Sequence, residues 1–237
     1  MMDARRDSVN RIVTVYLALF AVVPFRYSPT AWRGETEEPT TVTPQPCIVS
    51  PGILRGFTCP AMCGACCKSF TMDWLPYETM PHNPRRIKLR TFMINGRDVP
   101  VFTDAQAGND TGYCRYLRHE DGRCGIHGTH PMPCDFELIR PLMSHIEARP
   151  NRVTTKLFGR GHQLMRVVDQ TRGALCTVNG ITDDTIDDTI RRLNRLQAWA
   201  DHCRVITHIP TVVAWAKDPA RRTEPLHLAP DPLPPLS

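Results

Sequence analysis

The alternation of apolar and polar positions along the chain predicts a small set of elements. Ile12 to Val23 reads IVTVYLALFAVV, an apolar run behind Arg5, Arg6 and Arg11. It predicts one apolar helix over residues 1–25, ending before Pro24, which cannot continue a helix. Farther along, KLRTFMI and RDVPVFT flank Asn95-Gly96. Asn-Gly supplies the two positive-φ positions of a tight turn, and the flanking runs are rich in β-branched and aromatic residues, so a β-hairpin is predicted. RVTTKLF, HQLMRVV and GALCTV, within residues 152–178, read as further short strands. Gly159 and Gly161 punctuate the first pair, and Asp169 to Gly173 the second.

Beyond Thr182 the period changes. Ile186, Ile190, Leu193 and Leu196 recur at steps of four, three and three, which makes one apolar stripe of a helix spanning about 183–203. Thr182 is a suitable N-cap, Asp183 and Asp184 sit at the positive end of the helix dipole, and Arg191, Arg192 and Arg195 come nearer its negative end. A short amphipathic piece, TVVAWAK, follows Pro210. The fold class expected is α+β: a small cysteine-rich domain with short antiparallel strands and a C-terminal helix.

Composition adds boundaries. The chain has 237 residues and 22 prolines, concentrated near the ends. Residues 26–56 read as a Pro/Thr-rich linker or extended arm, and residues 210–237 as a Pro-rich tail whose end, from Asp218, is expected to be without packed structure. Between them lie a cysteine-rich domain at 57–141 and, at 142–209, strands plus the amphipathic helix packing on it. Hydrophobic content of 41% and charged content of 22% are ordinary for a globular protein. The net charge of +5 is scattered, with no Lys/Arg block, so nucleic-acid binding is not indicated.

The run at residues 12–23 resembles the charged and apolar regions of a signal peptide, yet no A-x-A-like cleavage site follows it. It is also shorter than the roughly 20 apolar residues of a comfortable membrane span. A helix packed on the domain is the preferred reading, and membrane contact is open to residues 12–23 alone. A cytoplasmic location is expected, with export or membrane association as the alternative.

Ten cysteines change the picture most. Cys59-Pro-Ala-Met-Cys63-Gly-Ala-Cys66-Cys67 packs four of them into nine residues. A C-x2-C step lets two thiolates turn back onto one metal, with loop N–H groups free to bond the sulfurs, and Gly64 suits the tight turn. Adjacent cysteines diverge, so Cys66 and Cys67 point to two sites, a cluster, or one ligand plus one buried thiol. A second group supplies Cys114, Cys124 and Cys134, with His127 and His130 as candidate imidazole ligands. Cysteines in two groups separated by a hairpin can converge on one site and close the intervening chain into a loop. Cys47, Cys176 and Cys203 stand alone and read as small buried hydrophobes.

On these residues the sequence resembles the YkgJ-type cysteine-cluster family, the CxxCxxCC zinc- or iron-chelating domain. Cys59 takes the first place and Cys63-Gly64-Ala65-Cys66-Cys67 the core. Cys114-Arg115-Tyr116-Leu117 matches the Cys-x-x-Leu step, and Cys124 through Ile126, Pro131 and Cys134 matches the closing element. His127 stands where the family has tyrosine, His130 where it has arginine, and Asp135 where a basic residue is common. Every cysteine of the pattern is kept, while any role of that arginine is not inherited.

The resemblance spans about residues 57–141. It implies metal ions as partners and, as cofactor, an iron–sulfur cluster (4Fe–4S among the possibilities) or zinc. The family is loosely labelled Fe–S oxidoreductase, and a larger relative, the flagellin lysine methylase, uses S-adenosylmethionine. The C-x3-C-x2-C spacing of radical enzymes is present at Cys59, Cys63 and Cys66. No Gly-rich loop between a strand and a helix marks an S-adenosylmethionine site, and the strand–helix alternation of a barrel is missing. Three function classes result: a metal-binding protein with a structural or cluster-storing site, an Fe–S-dependent oxidoreductase or methyltransferase, and a secreted disulfide-stabilised protein. Arg115, Arg118, His119 and Glu120 beside Cys114 offer an anion site to the second class, against the plainer reading of a charged surface turn.

Overall fold

The computed structural model describes residues 16–28, 38–44, 46–58, 73–74, 86–104, 114, 116–126, 129–132, 139–143, 152–153, 162–166, 168–169 and 177–229. In chain order these form α1 (Ala18–Phe20), β1 (Phe25–Ser28), β2 (Thr40–Val42), β3 (Cys47–Val49), a 3-10 turn (Pro51–Leu54), β4 (Phe57–Thr58) and β5 (Asp73–Trp74). There follow β6 (Arg86–Ile94), β7 (Arg97–Asp104), β8 (Ile139–Met143), β9 (Arg152–Val153), β10 (His162–Arg166), β11 (Val168–Asp169) and β12 (Thr177–Val178). Helices α2 (Asp183–His202) and α3 (Ile209–Lys217) and strand β13 (Leu226–Leu228) complete the set. The class is α+β.

A five-stranded sheet runs β2-β1-β6-β7-β5 and a four-stranded sheet β13-β3-β10-β8; β11-β9 and β12-β4 form two-stranded pairs. All pairings are antiparallel except β3 with β10, which run parallel from Cys47↔His162 to Val49↔Leu164. The hairpin β6–β7 turns at Asn95 (φ 48°) and Gly96 (φ 72°), as the Asn-Gly pair requires.

The N- and C-terminal segments build the main core. The apolar stripe of α2 (Ile186, Ile190, Leu193, Leu196) is buried together with Trp199 and Ala200. Phe92 of β6 stands edge-on between Tyr27 of β1, at 6.0 Å, and Trp199 of α2, at 6.5 Å between ring centroids. Tyr16 to Ala21 lie in this same core. Among the described residues no helix is long and apolar enough to cross a membrane.

Two segments differ from what their composition suggests. Within 26–56, Arg26–Ser28 of β1 together with β2, β3 and the 3-10 turn are built from the residues expected to be a linker, and Cys47, Val49, Ile53 and Leu54 belong to the main core. Within 210–237, most of α3 packs into the core, and β13 pairs with β3 from Leu226↔Val49 to Leu228↔Cys47. Short strands that each fill one edge need little local pattern, and prolines sit easily between them. Pro51 opens the 3-10 turn, where the missing N–H costs nothing, and Ser50 caps it by accepting from the Gly52 N–H.

Helix α2 starts at Thr182. Its hydroxyl accepts from the Thr185 N–H while the Thr185 hydroxyl accepts from the Thr182 N–H, a capping box closed by two threonines. It ends in a Schellman arrangement: the Val205 N–H reaches the Ala200 carbonyl at 2.9 Å and the Arg204 N–H the Asp201 carbonyl at 3.0 Å, with Arg204 at φ 55°. Asp188 holds two guanidinium groups, Arg191 at 2.7 Å and the buried Arg192 at 2.8 Å.

These elements fix where the cysteine-rich segment enters. Gly56 precedes β4 and is tied to the residues just before α2, with its carbonyl accepting from the Asn179 N–H at 2.9 Å. A Cβ at Gly56 would fall 2.6 Å from Thr185 Cγ2, so a side chain at 56 would have to displace the Thr185 side chain or the backbone beside it. Cys59 follows β4 directly in sequence.

Candidate metal centre

The second cysteine group is visible in part. Cys114 and Cys124 are half-buried, and both pack with Tyr116 against a small apolar cluster made by Trp74 and Ile126. This cluster is separate from the main core. Trp74 lies on β5, seven residues after Cys67 in sequence. The chain leaving the first cysteine group therefore packs directly on the second.

A tight loop brings Cys124 back toward Cys114. Leu117 and Cys124 form an isolated antiparallel bridge. The Leu117 N–H donates to the Cys114 carbonyl at 3.0 Å, the Arg118 N–H to the Arg123 carbonyl at 2.9 Å, and the Gly125 N–H to the Tyr116 carbonyl at 2.7 Å. Gly122 takes φ 69° at the tip, a conformation natural to glycine. Gly125 is needed for closeness, since a Cβ there would stand 3.2 Å from the Tyr116 carbonyl. Arg118 pairs with Asp121, whose other carboxylate oxygen accepts from the Arg123 N–H at 2.9 Å. Arg118, His119 and Glu120 are exposed on this loop, so they form a charged surface turn.

The closing element is pinned to the main core. Met132 is buried there. His130 is 6% exposed, and its carbonyl accepts a hydrogen bond from Arg195 of α2 at 2.8 Å. The sequence assigns Arg195 to the helix C-terminal charge balance. Its reach to the cysteine segment carries no sequence signal, because only the packing of α2 brings the two together.

Of the expected ligands, Cys114, Cys124 and His130 fall among the described residues. Cys59, Cys63, Cys66, Cys67, Cys134 and His127 lie outside them, as does Cys176. Among the described residues alone, no three His, Cys, Asp or Glu side chains form a metal-holding group. Cys47 and Cys203 are buried in the main core, away from the Trp74 cluster. Burial pushes the Cys203 thiol up from 9.0 to about 12, with Arg97 pulling weakly the other way. Its position is that of a buried thiol held in the protonated form.

The donors present fit a soft or borderline metal. Two half-buried sulfurs share one apolar wall, and soft thiolates select zinc, iron–sulfur clusters or copper(I) over hard cations. The wall also holds an orphaned polar atom. Trp74 is 1% exposed, and its indole Nε1–H has no hydrogen-bond partner. The Trp199 indole N–H in the main core is unpartnered as well, so the orphan by itself marks no ligand. Sequence reasoning passed over Trp74, because a tryptophan in TMDWLPY has no period or spacing that sets it apart.

Cys114 and Cys124 thus share one small apolar cluster beside the main core of an α+β protein. Residues 58–153 match the model of the CxxCxxCC family, whose description is "Putative zinc- or iron-chelating domain". No curated protein and no solved structure matches the chain.

Proposed function

We propose that the protein holds an iron–sulfur cluster through Cys59, Cys63, Cys66, Cys67, Cys114, Cys124 and Cys134, with His127 and His130 as further candidate donors. The observation that carries this reading is the packing of Cys114 and Cys124 against the cluster of Trp74 and Ile126, which brings the second cysteine group beside a residue seven positions beyond Cys67. Seven thiolates exceed the four that one tetrahedral zinc or one 4Fe–4S cluster takes, so the set leaves room for a second ion or for thiols outside the cluster. A bound cluster would supply electron transfer or, with an open iron, substrate binding. The chain's own contribution is the apolar wall of Trp74 and Ile126, which limits water at the sulfurs, and the Arg195 contact that fixes the closing element.

Thiolate ligation of this kind belongs in a reducing compartment, which supports a cytoplasmic location. Zinc is the second reading, favoured by the zinc half of the family description. In that case the centre closes the fold rather than passing electrons.

The test is purification without oxygen, followed by metal and sulfide analysis and a visible spectrum. Iron with sulfide and broad absorption that bleaches on reduction supports the cluster. Zinc without iron replaces it with the second reading. Absence of any metal, together with oxidised cysteines, refutes both and leaves the disulfide-stabilised protein.

A further inference from the structure

We infer that the signal-like run is a permanent part of the folded protein: residues 16–23 clasp residues 206–208 and close the main core, and they are open neither to a membrane nor to a processing peptidase. The inference is independent of the metal reading.

Burial is the first observation. Every residue from Tyr16 to Ala21 is buried, Leu17 at 0% exposure. They share one core with Trp199 of α2 and with Val212 and Trp215 of α3. A membrane or a translocation channel binds such a run through its bare apolar side chains. In this fold those side chains are bare only when the core is open.

The backbone is the second. Residues 12–23 do not continue as one helix to Pro24. The chain leaves helical geometry at Ala21 (φ −62°, ψ 142°), and an isolated antiparallel bridge joins Ala21 to Thr207. The Val22 N–H donates to the Ile206 carbonyl at 2.9 Å, and the His208 N–H to the Phe20 carbonyl at 2.7 Å. His208 is the N-cap of α3, so the clasp holds the residue from which that helix starts. A helix inserted in lipid satisfies its backbone within itself, whereas the end of this run bonds to chain remote in sequence.

The third concerns cleavage. A signal sequence is cut just beyond its apolar region. Here that stretch is β1 (Phe25–Ser28), paired with β2 on one side and β6 on the other, with Phe25, Tyr27 and Ser28 buried. The run therefore lends no support to the secreted, disulfide-stabilised alternative.

The experiment uses the full-length chain, produced in bacterial cells without an added leader. Intact mass of the purified protein is expected to include residues 16–28, and the protein to be recovered without detergent. The amides of Ala21, Val22 and His208 are expected to exchange as slowly as those of α2. Leu17→Ala removes a buried side chain and is expected to lower the melting temperature by about 4–20 °C. Val23→Ala, at a side chain 37% exposed, is expected to change it by less than about 2 °C. A run that served only as a leader or anchor would leave the melting of the folded domain unchanged in both variants.

Purified protein that begins beyond Tyr16 overturns the inference, and so does protein recovered only from detergent-extracted membranes. A folded Leu17→Ala that melts within about 1 °C of wild type overturns it too. Should Leu17→Ala not fold, the wild-type exchange decides: protection of Ala21 and Val22 near that of α2 upholds the clasp, and exchange at the rate of unstructured chain overturns it. None of these measurements reads metal, so the metal reading stands or falls separately.

Discussion

Asn95 joins the cysteine segment to the rest of the protein, and its removal has a calculable consequence. It sits at the tip of the β6–β7 hairpin, inside the family-matched residues, with φ 48°. Its Oδ1 accepts from the Arg26 N–H of β1 at 3.0 Å. Its Nδ2 donates to the Arg204 carbonyl at 2.9 Å and the Cys203 carbonyl at 3.3 Å. Those carbonyls stand at the C-terminal end of α2, where the helix leaves acceptors unsatisfied. The neighbouring Arg97 guanidinium donates to the His202 carbonyl at 3.2 Å, so the hairpin tip caps the helix twice.

Each net hydrogen bond contributes about 0.5–1.5 kcal/mol, and partly exposed bonds fall at the lower end, so the three side-chain bonds together contribute about 2 kcal/mol. Alanine adds about 1 kcal/mol of left-handed backbone strain that asparagine largely avoids. Asn95→Ala should therefore cost about 3 kcal/mol. At about 2–4 °C per kcal/mol for a domain of this size, that lowers the melting temperature by about 6–12 °C.

Asn95→Gly keeps the backbone conformation and loses only the side-chain bonds, so its fall should be about two-thirds as large. Asn95→Asp retains the acceptor for Arg26 but sets a carboxylate against helix-terminal carbonyls, and should be at least as damaging as glycine. Thermal unfolding followed by circular dichroism measures all three. If Asn95→Ala and Asn95→Gly both melt within 1 °C of wild type, the latch is not a stabilising contact and the reasoning fails.

Further outcomes can be stated briefly. Cys114→Ser and Cys124→Ser should each reduce the metal content of freshly purified protein, while Cys203→Ser should leave it unchanged; equal loss in all three would contradict the proposed site. The Cys203 thiol, raised to about 12 by burial, should resist alkylation at pH 8 in the folded protein and react after unfolding, as mass spectrometry of the labelled peptide would show. Because its folded value lies above the unfolded 9.0, its contribution is complete below pH 9 and is lost as pH rises from 9 toward 12, so stability should decline across that window and recover in part with Cys203→Ala. Arg204→Gly relieves the left-handed residue at the end of α2 and should raise the melting temperature by about 1–2 °C, a change in the direction opposite to Asn95→Ala.

What was legible in the sequence had local causes. The Asn95-Gly96 turn, the Ile186–Leu196 stripe and the Thr182 cap are each specified within a few residues, and each stands where expected. The reciprocal bond from Thr185 that closes the box is an addition to that reading. The strands at 40–42, 47–49 and 226–228 were not legible. Each is three residues long, and β3 is held between β10 and β13, partners remote in sequence that leave no periodic trace near Cys47. At the candidate site, spacing alone singled out Cys114 and Cys124. Trp74 and Arg195 were invisible because their importance is a matter of what packs on them.

The distribution of apolar burial separates two kinds of stability. Among the described residues, the main core draws on residues 16–54 and 186–228 and takes from the family-matched segment Phe92, Ile94, Val99 and Met132. The cysteine loop has its own cluster of two buried side chains, Trp74 and Ile126, with Cys114, Tyr116 and Cys124 packed at its edge. The two buried side chains described there do not by themselves offset the ordering of the loop at about 1–2 kcal/mol per residue of backbone. A bound metal can, because its free energy becomes folding free energy where the ligands sit. The main core has no such need. Removing metal from the loaded protein should therefore loosen the amides of Leu117, Arg118, Gly122 and Gly125, which are hydrogen-bonded within the loop, while α2 keeps its protection. Hydrogen exchange read by mass spectrometry before and after chelation distinguishes the two regions. If α2 loses protection together with the loop, the centre supports the whole fold, and the core is not the independent unit that its residues indicate.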